Sequence, residues 1–330
     1  MRPRETCVVA RGHGSLAFSL VDLLVILATV AILAVTLLPA LARTHVQTQG
    51  TQCLNNLGGI TVGWWIYVNE NEGKLVGNRG LLPCNLDYEA YPDWVAGNMR
   101  NNSAIGPPYT GTDATNSALL VNPTYSQLAP YVTDPVLYRC PTDQSTWSTT
   151  GNPGYNETPR VRSYSMSQAI GPQPNGALVD TINGLQHISG HWLSSGNAEA
   201  PGGYPWRVYI KESDLVTPTP SQLWLMLDEH PNSINDAAFA FEMPITPADT
   251  YFVDVPAAYH NNACNFSFAD GHVETHRWQD PAVIPPVTWA ADTVPGIGGT
   301  GVIYGKDPDV QWMAGHTTAP APGALGLYDP

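Results

Sequence analysis

The amino-acid sequence predicts an α+β fold in which one long N-terminal helix precedes a loop-rich domain with antiparallel strands. Three observations predict it. An apolar run from Leu16 to Ala42 continues into a helical pattern that extends to residue 72. The segment 222–229 is almost continuously apolar, as expected of a central strand. Two alternating runs flank Asp270-Gly271, a dipeptide typical of a type I′ hairpin turn.

Composition and charge restrict the class of protein. The chain has 330 residues, of which 43% are hydrophobic, enough to bury a core. Its 30 glycines and 30 prolines favour many turns. The net charge of −14 would repel phosphate backbones, which argues against nucleic acid as a partner. Residues 1–17 carry +2, so the remainder carries −16; a basic leader before an apolar run predicts a cytoplasmic N-terminus and an exported bulk.

The apolar run contains one acid, Asp22. The run has about 27 residues, more than the roughly 20 that a membrane-spanning helix needs. A carboxylate at membrane depth costs about 2.5–3.5 kcal/mol on insertion scales, which marks it as a candidate functional residue. A plain anchor leaves the acid unexplained. A signal peptide cut after Ala40-Leu41-Ala42 is the other alternative, although signal peptides usually have shorter apolar regions without an acid.

The residues around Asp22 carry a resemblance. Ala17 followed by Phe18-Ser19-Leu20-Val21-Asp22 resembles the prepilin-type cleavage and methylation segment, G-F-T-L-x-E, of type IV pilins and type II secretion pseudopilins. Here Ala17 replaces the usual glycine and Asp22 the usual glutamate. The resemblance implies cleavage before Phe18, methylation of the new terminus and pairing of Asp22 with the amine of a neighbouring subunit. Pro39 stands where pilin-like helices often carry a helix-loosening proline.

A second resemblance covers most of the chain. His260, nine residues and then Asp270-Gly271 resemble the H-x(9)-D-G signature of a bacterial family of prepilin-type, processing-associated proteins. Four further segments are similar to segments of that family in the same order: CLNNLGGITVGWWIYVNENEGKL (53–75), YVTDPVLYRCPTD (131–143), RSYSMS (162–167) and DPDVQWM (307–313).

Together these resemblances imply a pilin-like fold, with the exported half of the helix packed on an antiparallel sheet. They divide the chain into a leader (1–17), a transmembrane helix (18–42), an exported amphipathic helix (43–72) and an acidic extracytoplasmic domain (73–330). The implied role is non-enzymatic and needs no cofactor. The partners are a prepilin peptidase, other pilin or pseudopilin subunits and the inner membrane, which the chain would cross once on its way to a type IV pilus or type II secretion filament.

The exported residues offer weaker candidates. One helical face contains Cys53, Leu57, Ile60, Trp64 and either Tyr67 or Val68, which predicts burial. The segment RVYIKESDL (207–215) also has the pattern of a strand. With a two-residue turn at Asp270-Gly271, Phe266, Phe268, Val273 and Thr275 would share one face of the hairpin. His272, Glu274 and His276 would share the other face, as weak metal candidates.

Two further expectations concern cysteines and alternative functions. Cys53, Cys84, Cys140 and Cys264 would lie in an oxidising compartment and form up to two disulfides, with three pairings open. The alternative function is a membrane-tethered glycan-binding module, which requires solvent-facing tryptophans such as Trp192, Trp206 or Trp224. An anchored hydrolase would have to use His260 with Asp270.

Overall fold

The computed structural model describes residues 19–78, 93–99, 112–148, 157–171, 181–182, 185–186, 206–243, 251–280, 283–287 and 306–320, with only the backbone at 38–46, 181–182, 185–186 and 251. The helices are α1 (Leu20–Glu70), α2 (Ala118–Val121) and α3 (Pro308–Thr317). The strands are β1 (Thr146–Ser148), β2 (Glu157–Pro159), β3 (Tyr164–Ser167), β4 (Thr181–Ile182), β5 (Leu185–Gln186), β6 (Trp224–Asp228), β7 (Ala238–Phe239), β8 (Phe241–Glu242), β9 (Tyr251–Phe252), β10 (Ala263–Phe268) and β11 (Val273–Arg277). The α+β class is confirmed.

Helix α1 runs without a break for 51 residues, from the apolar segment into the residues that precede the first loop. Ser19 begins it: the amide of Asp22 donates to Ser19 Oγ at 3.2 Å, and the amide of Ser19 donates to Asp22 Oδ2 at 3.0 Å. This reciprocal pair is a capping box, which satisfies amides that lack an intrahelical partner. The helix ends at Glu70, before Glu72 and Gly73 turn the chain with positive φ.

The chain divides into two compact units, Met1–His45 and Val46–Pro330. In the first unit, Leu20–Leu37 is long and apolar enough to cross a membrane, and none of it is buried. A membrane anchor and a cleaved signal sequence both meet that description. In the second unit, the predicted helical face is confirmed, because Cys53, Leu57, Ile60, Trp64 and Val68 are all fully buried.

A five-stranded sheet forms the centre of the second unit, in the order β11-β10-β6-β3-β7. Its pairs are antiparallel except β3 with β7, so the sheet is mixed rather than purely antiparallel as expected. Side chains of β3 and β6, such as Met166 and Leu225, share a core with the buried face of α1. On the other side, Phe266 and Trp224 share a core with α3.

The hairpin at Asp270-Gly271 is confirmed, but its turn and its faces differ from the prediction. Only Gly271 has positive φ there, at +95°, and Ser267 pairs with Val273, so the loop has three residues, 269–271. The extra loop residue shifts the pairing by one position and exchanges the faces of β11. Phe266 therefore lies opposite Glu274, on the side of His276, and Thr275 donates a hydrogen bond to Asn265.

The segment 207–215 does not form the predicted strand. Tyr209 and Lys211 make only isolated bridges, and Glu212–Asp214 is a 3-10 helix. The carboxylate of Asp214 accepts hydrogen bonds from the amides of Ile210 and Lys211, which closes this stretch into a local turn. A short side chain that bonds nearby amides competes with a strand ladder.

Candidate metal centre

Four buried side chains from distant parts of the sequence converge on one point beside α1. They are Cys53 on α1, Cys140 after the 3-10 helix Pro135–Tyr138, Asp228 at the end of β6, and His260 shortly before β10. One ligand atom from each lies within 4.8 Å of all the others. Within the described residues, this is the one group of three or more His, Cys, Asp or Glu side chains that could share an ion.

Local structure explains why Cys53, Asp228 and Cys140 point inwards. Cys53 belongs to the buried face of α1, one turn before Leu57. Asp228 is the last residue of β6 and pairs with Tyr164 of β3, and both residues are fully buried. The amide of Cys140 donates to Ser163 Oγ, which donates to Asp143, and this network fixes the residue that follows the 3-10 helix.

The contacts within the cluster are close. The Cys53 thiol donates to Asp228 Oδ1 at 3.1 Å, and His260 Nε2 lies 3.2 Å from Asp228 Oδ2. Cys140 Sγ lies 3.5 Å from the same nitrogen of His260. The relative exposures of Cys53, Cys140, Asp228 and His260 are 0%, 0%, 0% and 8%, so the polar atoms depend on each other rather than on bulk water.

Burial and proximity set the protonation of the cluster. Burial raises the pKa of Cys53 well above its usual value, and the neighbouring Cys140 and Asp228 add to this. Burial also opposes ionisation of Cys140, but its contacts with Cys53 and His260 outweigh burial and lower the pKa of this thiol. For His260, burial favours the neutral ring, yet the hydrogen bonds with Asp228 and Cys140 raise its pKa to about 10. The pKa values of the two thiols are therefore shifted in opposite directions.

The arrangement does not form a nucleophile, base and orienting acid. In such a triad, the two ring nitrogens of the histidine contact different partners. Here Cys140 and Asp228 both approach Nε2 of His260, while Nδ1 is buried without a hydrogen-bond partner. A cavity of about 640 Å³ has Cys140 in its wall beside Arg139 and Asp143. Cys140 is itself fully buried, so this cavity does not expose its thiol to solvent.

The residues named from the sequence have different locations. His260 is in the cluster, but Asp270 lies in the hairpin turn, where its carboxylate bonds His272 Nδ1 at 2.5 Å. Strand β10, about 20 Å long, lies between His260 and Asp270. The nine-residue spacing of the motif therefore corresponds to the length of one strand. Gly271 supplies the positive φ of the turn. Ala17, Phe18 and Cys84 lie outside the described residues, and the side chain of Pro39 is not described.

The predicted metal trio is not brought together around one point. His272 stacks on Phe268 with ring centroids 4.3 Å apart, and its Nε2 lies 4.0 Å from Glu274 Oε2. His276 instead stacks on Trp312 of α3. Cys53, Cys140 and Cys264 are free thiols, so no disulfide joins these three.

Sequence reasoning missed Asp228 altogether. The sequence contains a feature that could have indicated Asp228: the apolar segment QLWLMLDE ends in two acids, where the predicted buried strand ends. The spacing of Cys53, Cys140 and His260 along the sequence could not predict that they meet, since 87 residues separate the cysteines and 120 separate Cys140 from His260.

No protein-family model, curated protein or solved structure matches this chain.

Proposed function

We propose that the chain is a pilin-like, membrane-anchored filament subunit that is processed between Ala17 and Phe18 and has no enzymatic activity. The observation that carries this proposal is the single helix α1, which begins as an exposed apolar segment and ends as a buried element of the domain core. A disposable export signal has no need to be continuous with a core helix. In a subunit held by its helix, the membrane segment and the core helix are parts of one element.

The position of Asp22 supports the same proposal. It lies in the first turn of α1, where its carboxylate is exposed and its Oδ2 accepts the amide of Ser19. After cleavage before Phe18, this carboxylate would lie close to a new amine at the membrane interior. A charge there is strongly stabilised by an opposite charge on a neighbouring chain, because the surroundings have a low dielectric constant.

The tryptophans that a glycan-binding surface would need do not favour that alternative. Trp206 and Trp224 are 2% and 0% exposed, and both belong to the core that contains α3. Trp192 lies outside the described residues. The hydrolase alternative loses its pair, because His260 and Asp270 have different hydrogen-bond partners at opposite ends of β10.

Processing is tested by mass spectrometry of the N-terminus of the native, membrane-extracted protein. We expect a methylated Phe18. A terminus at Arg43 would identify a cleaved signal peptide, and an intact Met1 would identify a plain anchor; either result would contradict the proposal.

Assembly is tested by variants that separate the charge of Asp22 from its capping role. Asp22→Asn keeps an oxygen that can accept the Ser19 amide but removes the charge, whereas Asp22→Ala removes both. We expect both variants to be processed but depleted from sheared filaments by at least about tenfold. Ser19→Ala, which weakens the cap and keeps the charge, is the matched control and should still assemble. Normal assembly of Asp22→Asn would show that Asp22 acts only as a helix cap.

A further inference from the structure

We propose that Cys53, Cys140, Asp228 and His260 bind one structural zinc ion that fastens α1 to the central sheet. This site is independent of the filament role proposed above. It is argued from the donor set, from the distances among the ligand atoms and from the convergence of Cys140 and Asp228 on one nitrogen of His260.

The donor set is one that zinc accepts. Zn²⁺ binds thiolate sulfur at about 2.3 Å and imidazole nitrogen or carboxylate oxygen at about 2.0–2.2 Å, usually with four ligands in a tetrahedron. Two sulfurs, one nitrogen and one oxygen fulfil that requirement with protein side chains alone. The hard carboxylate disfavours Cu(I), which prefers soft sulfur ligands, while the two thiolates disfavour Mg²⁺ and Ca²⁺.

The distances already approach those of a zinc tetrahedron. Bond lengths of the usual size give ligand-to-ligand edges of about 3.3–3.8 Å. The separations are 3.5 Å for Cys140 Sγ to His260 Nε2 and 3.2 Å for His260 Nε2 to Asp228 Oδ2. Cys53 Sγ lies 3.1 Å from the other oxygen of the same carboxylate, Oδ1. Since no pair of ligand atoms exceeds 4.8 Å, closure on an ion requires movements of about 1 Å.

Two side chains of the cluster converge on one nitrogen atom. Cys140 Sγ and Asp228 Oδ2 both lie within 3.5 Å of His260 Nε2, which carries at most one proton. A cation at the common point replaces that proton and the proton of the Cys53 thiol, and it contacts all four groups at once. The filled site would carry a net charge of −1, which nearby hydrogen-bond donors would stabilise. The amide of Asn265 donates to Asp228 Oδ2 at 3.1 Å, and the Tyr164 hydroxyl lies 3.2 Å from Cys53 Sγ. Such outer contacts orient metal ligands.

The site is of the closed, structural type. All four coordination positions come from the protein, and the ligands are buried, which leaves no position for a substrate. The ligands lie on four segments separated by 87, 88 and 32 residues along the chain. Because the four ligands come together only in the folded chain, binding of the metal and folding are coupled.

The first test is metal content. The full chain is purified in detergent micelles through a tag without histidine, exposed to Zn²⁺, passed over a chelating resin and analysed by inductively coupled plasma mass spectrometry. We expect about one zinc per chain. Cys53→Ser, Cys140→Ser, Asp228→Asn and His260→Asn should each lose it. Cys264→Ser is the matched control: this thiol is also fully buried and donates to the backbone carbonyl of Asp228 at 3.2 Å, but it is not a ligand, so the variant should keep its zinc.

The second test begins with the wild-type protein, so its first measurement does not depend on the folding of any variant. X-ray absorption at the zinc edge of the wild-type protein should give two sulfurs at about 2.3 Å and two lighter ligands at about 2.0–2.1 Å. A chelator should lower the thermal midpoint of the wild-type chain and of Cys264→Ser, but not that of Cys140→Ser.

Wild-type protein without zinc would overturn the proposal, as would zinc that persists when either Cys53 or Cys140 is replaced, or a Cys53–Cys140 disulfide in peptides from the native protein. Stoichiometric copper or iron in place of zinc would equally reject it.

Discussion

His276 lies flat against Trp312, with ring centroids 3.7 Å and planes 20° apart, so the last strand of the sheet is joined to α3 by a stack of two aromatic rings. The three-residue turn at Gly271 makes this contact, because it places His276 on the side of Phe266. With the predicted two-residue turn, His276 would point away from α3. The side chain predicted from the sequence as a metal candidate is therefore half-buried in an aromatic stack.

The His276 stack predicts that acid weakens the domain. Burial lowers the pKa of His276 to about 4, although Asp309 opposes the shift, and the charge of His316 adds to it. The unfolded chain binds this proton from about pH 6.5 downwards, whereas the folded chain does so only near pH 4. The contribution of His276 is complete above pH 6.5 and is lost as the pH falls from 6.5 to 4, up to about 3 kcal/mol.

Urea unfolding followed by tryptophan fluorescence between pH 4 and 8 checks this prediction. His276→Phe keeps an aromatic ring against Trp312 but cannot be protonated. We expect the variant to have a shallower loss of stability than the wild type between pH 6.5 and 4. Parallel curves would contradict it.

Two glycines with open space around them should respond in opposite directions to alanine. A Cβ at Gly271 or at Gly315 meets nothing within 4 Å. Gly271 has φ +95°, which strains any L side chain, so Gly271→Ala should destabilise by about 1 kcal/mol. Gly315 lies in α3, so Gly315→Ala should stabilise by about 0.5–1 kcal/mol. Urea unfolding measures both changes in stability. If both have the same sign, the positive φ of Gly271 does not determine the effect of its substitution.

The closeness of α1 to the 131–132 segment predicts a packing defect. A Cβ on Gly63 would overlap Cγ2 of Val132, whereas a Cβ on Gly58 would meet Val273 at an ordinary 3.7 Å. Gly63→Ala should therefore destabilise by about 1–3 kcal/mol despite the better helix propensity of alanine. Gly58→Ala is the control on the same helix and should be neutral or stabilising. Thermal unfolding measures both; a stable Gly63→Ala would disprove the close approach.

Arg162 should be intolerant of lysine. Its guanidinium is fully buried, donates to the carbonyl oxygens of Tyr164 at 2.6 Å and Asp236 at 2.7 Å, and lies 5.9 Å from the centre of the Trp94 ring. An ammonium has neither the planar fork nor the stacking surface, so Arg162→Lys should cost about 2–4 kcal/mol. Arg207→Lys changes a half-buried arginine that donates a hydrogen bond to the carbonyl oxygen of Pro320, and it should cost less than about 0.5 kcal/mol by the same unfolding measurement. Equal effects would contradict the special role of the buried site.

The sequence by itself determined the elements with strong local signals. The buried face of α1 followed from its 3.6-residue period, β6 from its apolar run, and the hairpin from Asp270-Gly271, because each depends on neighbours a few residues apart. The sequence also located the apolar segment and Asp22 within it, whereas the capping box of Asp22 with Ser19 came from the structure. Their meaning as a processing and assembly site remains a prediction.

Tertiary structure decided what distant residues do. One extra residue in the turn at Gly271 exchanged the faces of β11, since side chains alternate along a strand. The partners of His260 proved to be Cys53, Cys140 and Asp228 rather than Asp270, because a binding point is made by packing four separate segments and no local pattern encodes their approach. The strand pattern at 207–215 was overridden by Asp214, whose carboxylate closed a turn.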